Sequence, residues 1–171
     1  MVTRRQAREW AVMLLCECDQ NPPDSIDSAI EAFWSQVEEV ERDGIAAGEY
    51  GVKVVFANRS AKHQASLAEM KEFAEERMRG VAGETAALDA ELEPFLEHWS
   101  LYRLGVVERN VLRLGAWEIS RHPEVPAPIV INEAVDLAKF FSETQSGKFV
   151  NGVLDRYAKS IAERKSASGG V

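Results

Sequence analysis

Apolar residues recur at spacings of three and four along most of the chain, the periodicity of helices that bury one face. In "TRRQAREWAVMLLCEC" the residues Ala7, Trp10, Ala11, Leu14, Leu15 and Cys18 form one such stripe. Thr3 and Gln6 have the spacing of a capping box, which predicts the start of this helix, and Pro22-Pro23 predicts its end. Ser25 can cap a second helix with Ile26, Ile30, Phe33, Trp34 and Val37 facing inward and Gly44 closing it. "VKVVF" at 52–56 has the composition of a strand, but no second strand exists to pair with it, so it reads as helix or irregular. Leu67, Met70, Phe73, Ala74 and Met78 mark a helix over about 60–79.

The second half is as regular. Thr85 opens a helix with Leu88 and Leu92 buried, and Pro94 restarts a turn leading into Phe95, Leu96 and Trp99. "VVERNVLRLGAWEISRH" is amphipathic until His122-Pro123 stops it. Pro128 opens "PIVINEAVDLAKFF", with Ile131, Val135, Ala138 and Phe141 along one side. After "SETQSG", read as a polar turn, a last helix starts near Lys148 and carries Val150, Val153, Leu154, Tyr157 and Ile161. The expectation is all-α: a compact bundle of about seven helices, one domain over 1–164, and a flexible tail at 165–171.

Charge sharpens the picture at one place. The 171 residues carry a formal net charge of −8, yet Arg4, Arg5 and Arg8 crowd the start of the first helix. There each cation opposes the helix dipole by roughly 0.3–1 kcal/mol at low ionic strength. Residues 17–50 hold ten acids against one base, Arg42, so the acidity is local and leaves room for a polyanion elsewhere. No apolar run approaches membrane-spanning length and the N-terminus has no apolar leader, which places the protein in the cytoplasm with no membrane role.

Chemistry-bearing patterns are sparse. No phosphate-binding glycine loop or His-Glu-x-x-His motif occurs, and His63, His98 and His122 are isolated, with exposed or capping roles expected. Cys16 and Cys18, two apart on a helix, point to nearly opposite sides and read as free thiols. Neither a metal site nor an enzyme is indicated. In "SETQSGKFVNGVLD", Lys148 beside Phe149 at a helix N-terminus suits single-stranded nucleic acid, a cation for phosphate and a ring for a base. The same residues also suit plain packing, with Phe149 stapling the helix entry and Gly152 admitting a close neighbour.

"PAPIVINEAVDLAKFFSETQSGKFVNGVLDRYA", "VERNVLRLGAWEIS" and "TRRQAREWAVMLL" together resemble the NusB family of bacterial transcription antitermination factors. The resemblance covers residues 3–15 and about 85–158; the acidic region at about 17–70 matches poorly and reads as an insert. It implies two small helical subdomains, no enzymatic activity and no cofactor. It implies binding to single-stranded boxA RNA of ribosomal RNA transcripts together with the small-subunit ribosomal protein NusE, within the RNA polymerase antitermination complex. By position, Arg4, Arg5 and Arg8 fall on the family's RNA-contacting row, and Phe141, Lys148 and Phe149 on its second RNA-binding segment. Glu108 falls on the position that faces NusE. Gln6, Cys16 and Gln145 depart from the family pattern, and the missing cation at Gln6 and the missing ring at Cys16 predict weaker RNA binding. The alternative reading is a diverged protein–protein module, NusE-binding or homodimeric, with weak or no RNA binding.

Overall fold

The computed structural model describes residues 2–42, 60–97, 99–142 and 144–168. Among them lie seven α-helices and no strand: α1 (Arg4–Gln20), α2 (Ile26–Arg42), α3 (Ala61–Gly83), α4 (Thr85–Leu92), α5 (Val106–Arg121), α6 (Ala127–Phe141) and α7 (Thr144–Ser168). Single 3₁₀ turns at Glu93–Phe95 and Leu101–Arg103 lie between α4 and α5. Gly44 and "VKVVF" lie outside the described residues. The chain divides into two compact units, Met1–Ala82 and Gly83–Val171.

In the first unit α1 begins as its spacing predicts. The Gln6 N–H donates to the Thr3 hydroxyl at 3.2 Å, and the Thr3 N–H donates to Gln6 Oε1 at 3.0 Å. Burial extends beyond the single stripe, because Arg8, Glu9 and Val12 are enclosed along with Trp10 and Leu14. Trp10 and Trp34 of α2 meet edge to face at 5.3 Å between ring centroids. The Trp34 indole N–H donates to Glu75 of α3 at 2.8 Å, and the Lys71 ammonium lies 4.5 Å above the Trp34 ring. Acids of α2 find cations of α3: Asp27 pairs with Arg79 at 2.8 Å and Glu38 with Lys71 at 3.3 Å. His63, expected in an exposed or capping role, is buried in the first turn of α3.

The second unit is organised around α5, which is buried without interruption from Asn110 to Ile119. Gly115 lets α7 approach closely, since a Cβ there would lie 2.6 Å from Leu154 Cδ1. The Arg113 guanidinium, 2% exposed, grips Asp89 of α4 with two parallel bonds of 2.7 and 2.8 Å. Tyr157, fully buried on α7, donates its hydroxyl to Glu91 at 2.5 Å. Burial, followed by that carboxylate acceptor, pushes the Tyr157 phenol up to about 12.

Two expectations shift here. The inward face of α6 is Val130, Ile131, Ala134, Leu137 and Ala138, leaving Val135 and Phe141 half-buried. The neighbours α5 and α7 both pack on α6, so its contact face is wider than one stripe and centred nearer Ala134. The last helix begins at Thr144, one turn earlier than the polar composition of "SETQSG" suggests, and runs through Ser168.

Replacing Asp89 by alanine would strand the Arg113 charge in the interior. We expect a loss of about 3–5 kcal/mol in urea unfolding. A loss below about 1 kcal/mol would show that the guanidinium re-solvates.

Candidate nucleic-acid interface

The arginine row sits on the first two turns of α1, whose first turn carries no acid to offset the positive end of the dipole. The three side chains have different surroundings. Arg4 is exposed. Arg5 is half-buried and donates Nε to Glu9 Oε1 at 3.2 Å, one turn on. Arg8 is only 5% exposed. The Arg4 and Arg8 guanidinium carbons lie 5.5 and 5.2 Å from the centroid of the Phe73 ring on α3. Gln6 is occupied by the capping box and holds the helix start. Cys16 and Cys18 are half-buried thiols outside any disulfide, and burial followed by the neighbouring Glu17 charge raises the Cys18 thiol.

The second segment is the corner between α6 and α7. Phe141 meets Phe140 edge to face at 4.9 Å, and Phe140 is exposed. Lys148 is exposed and Phe149 half-buried. Because α7 starts at Thr144, Lys148 lies in its second turn, and the N–H groups at the helix terminus belong to the residues before it. Glu108, at the third position of α5, explains the early start. Its carboxylate accepts the Ser142 hydroxyl at 2.6 Å and the Ser146 hydroxyl at 2.5 Å, tying both sides of the corner to α5. Gly147 completes the corner, because a Cβ there would lie 2.9–3.3 Å from Lys139 and Val135 of α6. Sequence reasoning missed Ser142, Ser146 and Gly147 as determinants of this segment.

Burial works to raise the Glu108 carboxyl, but the two serine hydroxyls and its own backbone N–H outweigh it and leave it below the ordinary value. Gly105, the residue before α5, has no Cβ to obstruct the folded-back carboxylate. Among the described residues no group of three or more His, Cys, Asp or Glu side chains is arranged to hold a metal. No helix there is long and apolar enough to cross a membrane.

Helices alone, with exposed cations and half-buried rings at helix ends, define an all-α protein of the small helical-bundle class. The chain belongs to the NusB family, whose model matches residues 5–159. The transcription antitermination protein NusB of Anaeromyxobacter dehalogenans is 36% identical over 94% of this chain and 94% of its own length. That of Sorangium cellulosum is 47% identical over 54% of this chain and 66% of its own. T. maritima NusB superposes with a TM-score of 0.68 at 28% identity, covering 92% of both chains. A NusB chain from a crystal structure of antitermination factors NusB and NusE in complex with dsRNA gives 0.64 at 29% identity, covering 92% of this chain and 96% of that one.

A lowered carboxyl stabilises the fold above its unfolded value and loses that contribution as pH falls through the folded value. Between pH 7 and pH 3, wild-type stability is therefore expected to fall more steeply than that of Glu108→Gln, so that the wild type's advantage closes below about pH 4.5. At pH 7 the variant should be about 1.5 kcal/mol less stable in urea. Parallel pH profiles would show that Glu108 does not hold the corner as a carboxylate.

Proposed function

We propose that this chain is a transcription antitermination factor that binds single-stranded boxA-type RNA of ribosomal RNA transcripts together with NusE. It acts in the cytoplasm as part of the RNA polymerase antitermination complex, and its work is recognition with no chemistry of its own. The observation that carries this reading is the exposed Arg4 at the positive end of α1, a position that is unfavourable within the helix and becomes useful only against an anion. Full-length similarity to NusB proteins and the kinship with a NusB–NusE–RNA structure support it.

In this reading Arg4 and Arg5 meet phosphates, with Arg8 adding charge from a buried position. Lys148 meets a further phosphate, and Phe141 and Phe149 offer ring faces to bases. Glu108 stands on the side assigned to NusE while its carboxylate holds the corner that bears the RNA-facing rings. A second reading has one observation in its favour. With Gln6 committed to capping and Arg8 enclosed, the row presents fewer free cations than its sequence suggests. A NusE-binding or homodimeric module with weak RNA affinity would follow.

Fluorescence titration of labelled boxA RNA against a scrambled control, with and without NusE, separates the two. Tighter boxA binding in the presence of NusE is expected. Arg5→Ala and Lys148→Ala are each expected to weaken binding and to reduce the slope of log affinity against log salt by about 0.7. Equal binding of both RNAs with no response to NusE would leave only the protein–protein module.

A further inference from the structure

Phe73 is half-buried on α3, and three guanidinium groups gather on its ring. Besides Arg4 at 5.5 Å and Arg8 at 5.2 Å, the Arg77 guanidinium carbon lies 3.2 Å from the centroid. Arg77, 2% exposed, is fixed from its own helix, donating Nη1 to the Phe73 carbonyl and to Glu76, each at 3.0 Å. The π face attracts each cation, but the cations repel one another. The positive end of the α1 dipole adds to the same region. Of the three, Arg4 is the exposed one, and among the described residues it has no carboxylate partner.

We propose that Phe73 is a positioning residue of the RNA site. Its ring holds the Arg4 guanidinium in place, in the field of Arg8 and Arg77, so that a backbone phosphate meets a fork already oriented and surrounded by positive charge. An arginine free to rotate would lose that freedom on binding, whereas one stacked on a ring has lost part of it beforehand. The ring therefore converts a row of charges into a directed contact. This role rests on the RNA-binding reading above.

The test measures binding of single-stranded boxA RNA, with NusE, at several salt concentrations for the full chain and three variants. Phe73→Met keeps apolar volume and removes the π face. It is expected to bind about two- to fivefold more weakly, with the salt slope reduced by about 0.7 as one phosphate contact is lost. Phe73→Tyr, which keeps the ring, should restore wild-type affinity and slope. Arg4→Lys changes an exposed side chain and needs no repacking; it should lose about as much as Phe73→Met, and it decides the matter if Phe73→Met fails to fold. Wild-type behaviour from Phe73→Met or from Arg4→Lys would overturn the role of Phe73. A wild-type chain that binds neither boxA nor scrambled RNA would overturn the RNA reading itself.

Discussion

At the start of α1 two physical demands conflict. Aligned peptide dipoles leave positive partial charge and unpaired N–H groups in the first turn, and acids commonly answer both. Here the chain places guanidinium groups there and no acid. The helix can begin because the Thr3–Gln6 box satisfies two of the N–H groups without introducing a negative charge. Glu9 engages Arg5 one turn further on, and the Phe73 ring receives Arg4 and Arg8. A neutral cap and an aromatic acceptor leave the positive potential uncancelled at Arg4. A carboxylate at Gln6 would have capped the helix and removed that potential together.

The corner between α6 and α7 solves a different problem with a single acid. Two helices joined this tightly bring hydroxyls and backbone into a small volume where each polar group needs a partner. Glu108 accepts from both Ser142 and Ser146, so one carboxylate on α5 sets where α6 ends and where α7 begins. Gly147 then allows the first turn of α7 to lie against Lys139 and Val135. Phe141, Lys148 and Phe149 inherit their positions from this tie. Under the proposed function, a residue assigned to a protein partner would thus also set the geometry of a nucleic-acid segment, through two hydrogen bonds.

Features determined by neighbours in sequence were legible, and features determined by distant partners were not. The capping box, the prolines after α1 and α5, and the stripe of α2 depend on spacings of three or four residues, and the structure reproduces them. "SETQSG" reads as a turn because its serines and glycine disfavour helix. Its helical portion is stabilised by Glu108, on another helix. The wide burial of α1 and the recentred face of α6 arise from neighbours on more than one side, which a single stripe does not encode. At the candidate site, the residue types and positions were readable. The enclosure of Arg8 and the convergence of three guanidiniums on Phe73 depend on α3 and needed coordinates.

Under the proposed function, the same distinction explains how an acidic chain presents cations to a polyanion. Net charge acts at a distance only as far as salt permits, about 8 Å at physiological ionic strength. Within that range the arrangement of charges governs. Asp27 and Glu38 of α2 are engaged by Arg79 and Lys71 of α3, so part of the formal negative charge is matched by cations on the protein's own surface. Among the described residues Arg4 has no such partner, and guanidinium groups in general keep their charge at physiological pH. Under the proposed function, attraction to phosphate is therefore insensitive to pH and sensitive to salt. Stacking on the rings of the α6–α7 corner responds little to salt and depends instead on the tie through Glu108. In that reading the arginine row and Lys148 answer to salt, whereas the rings of the α6–α7 corner answer to the tie through Glu108.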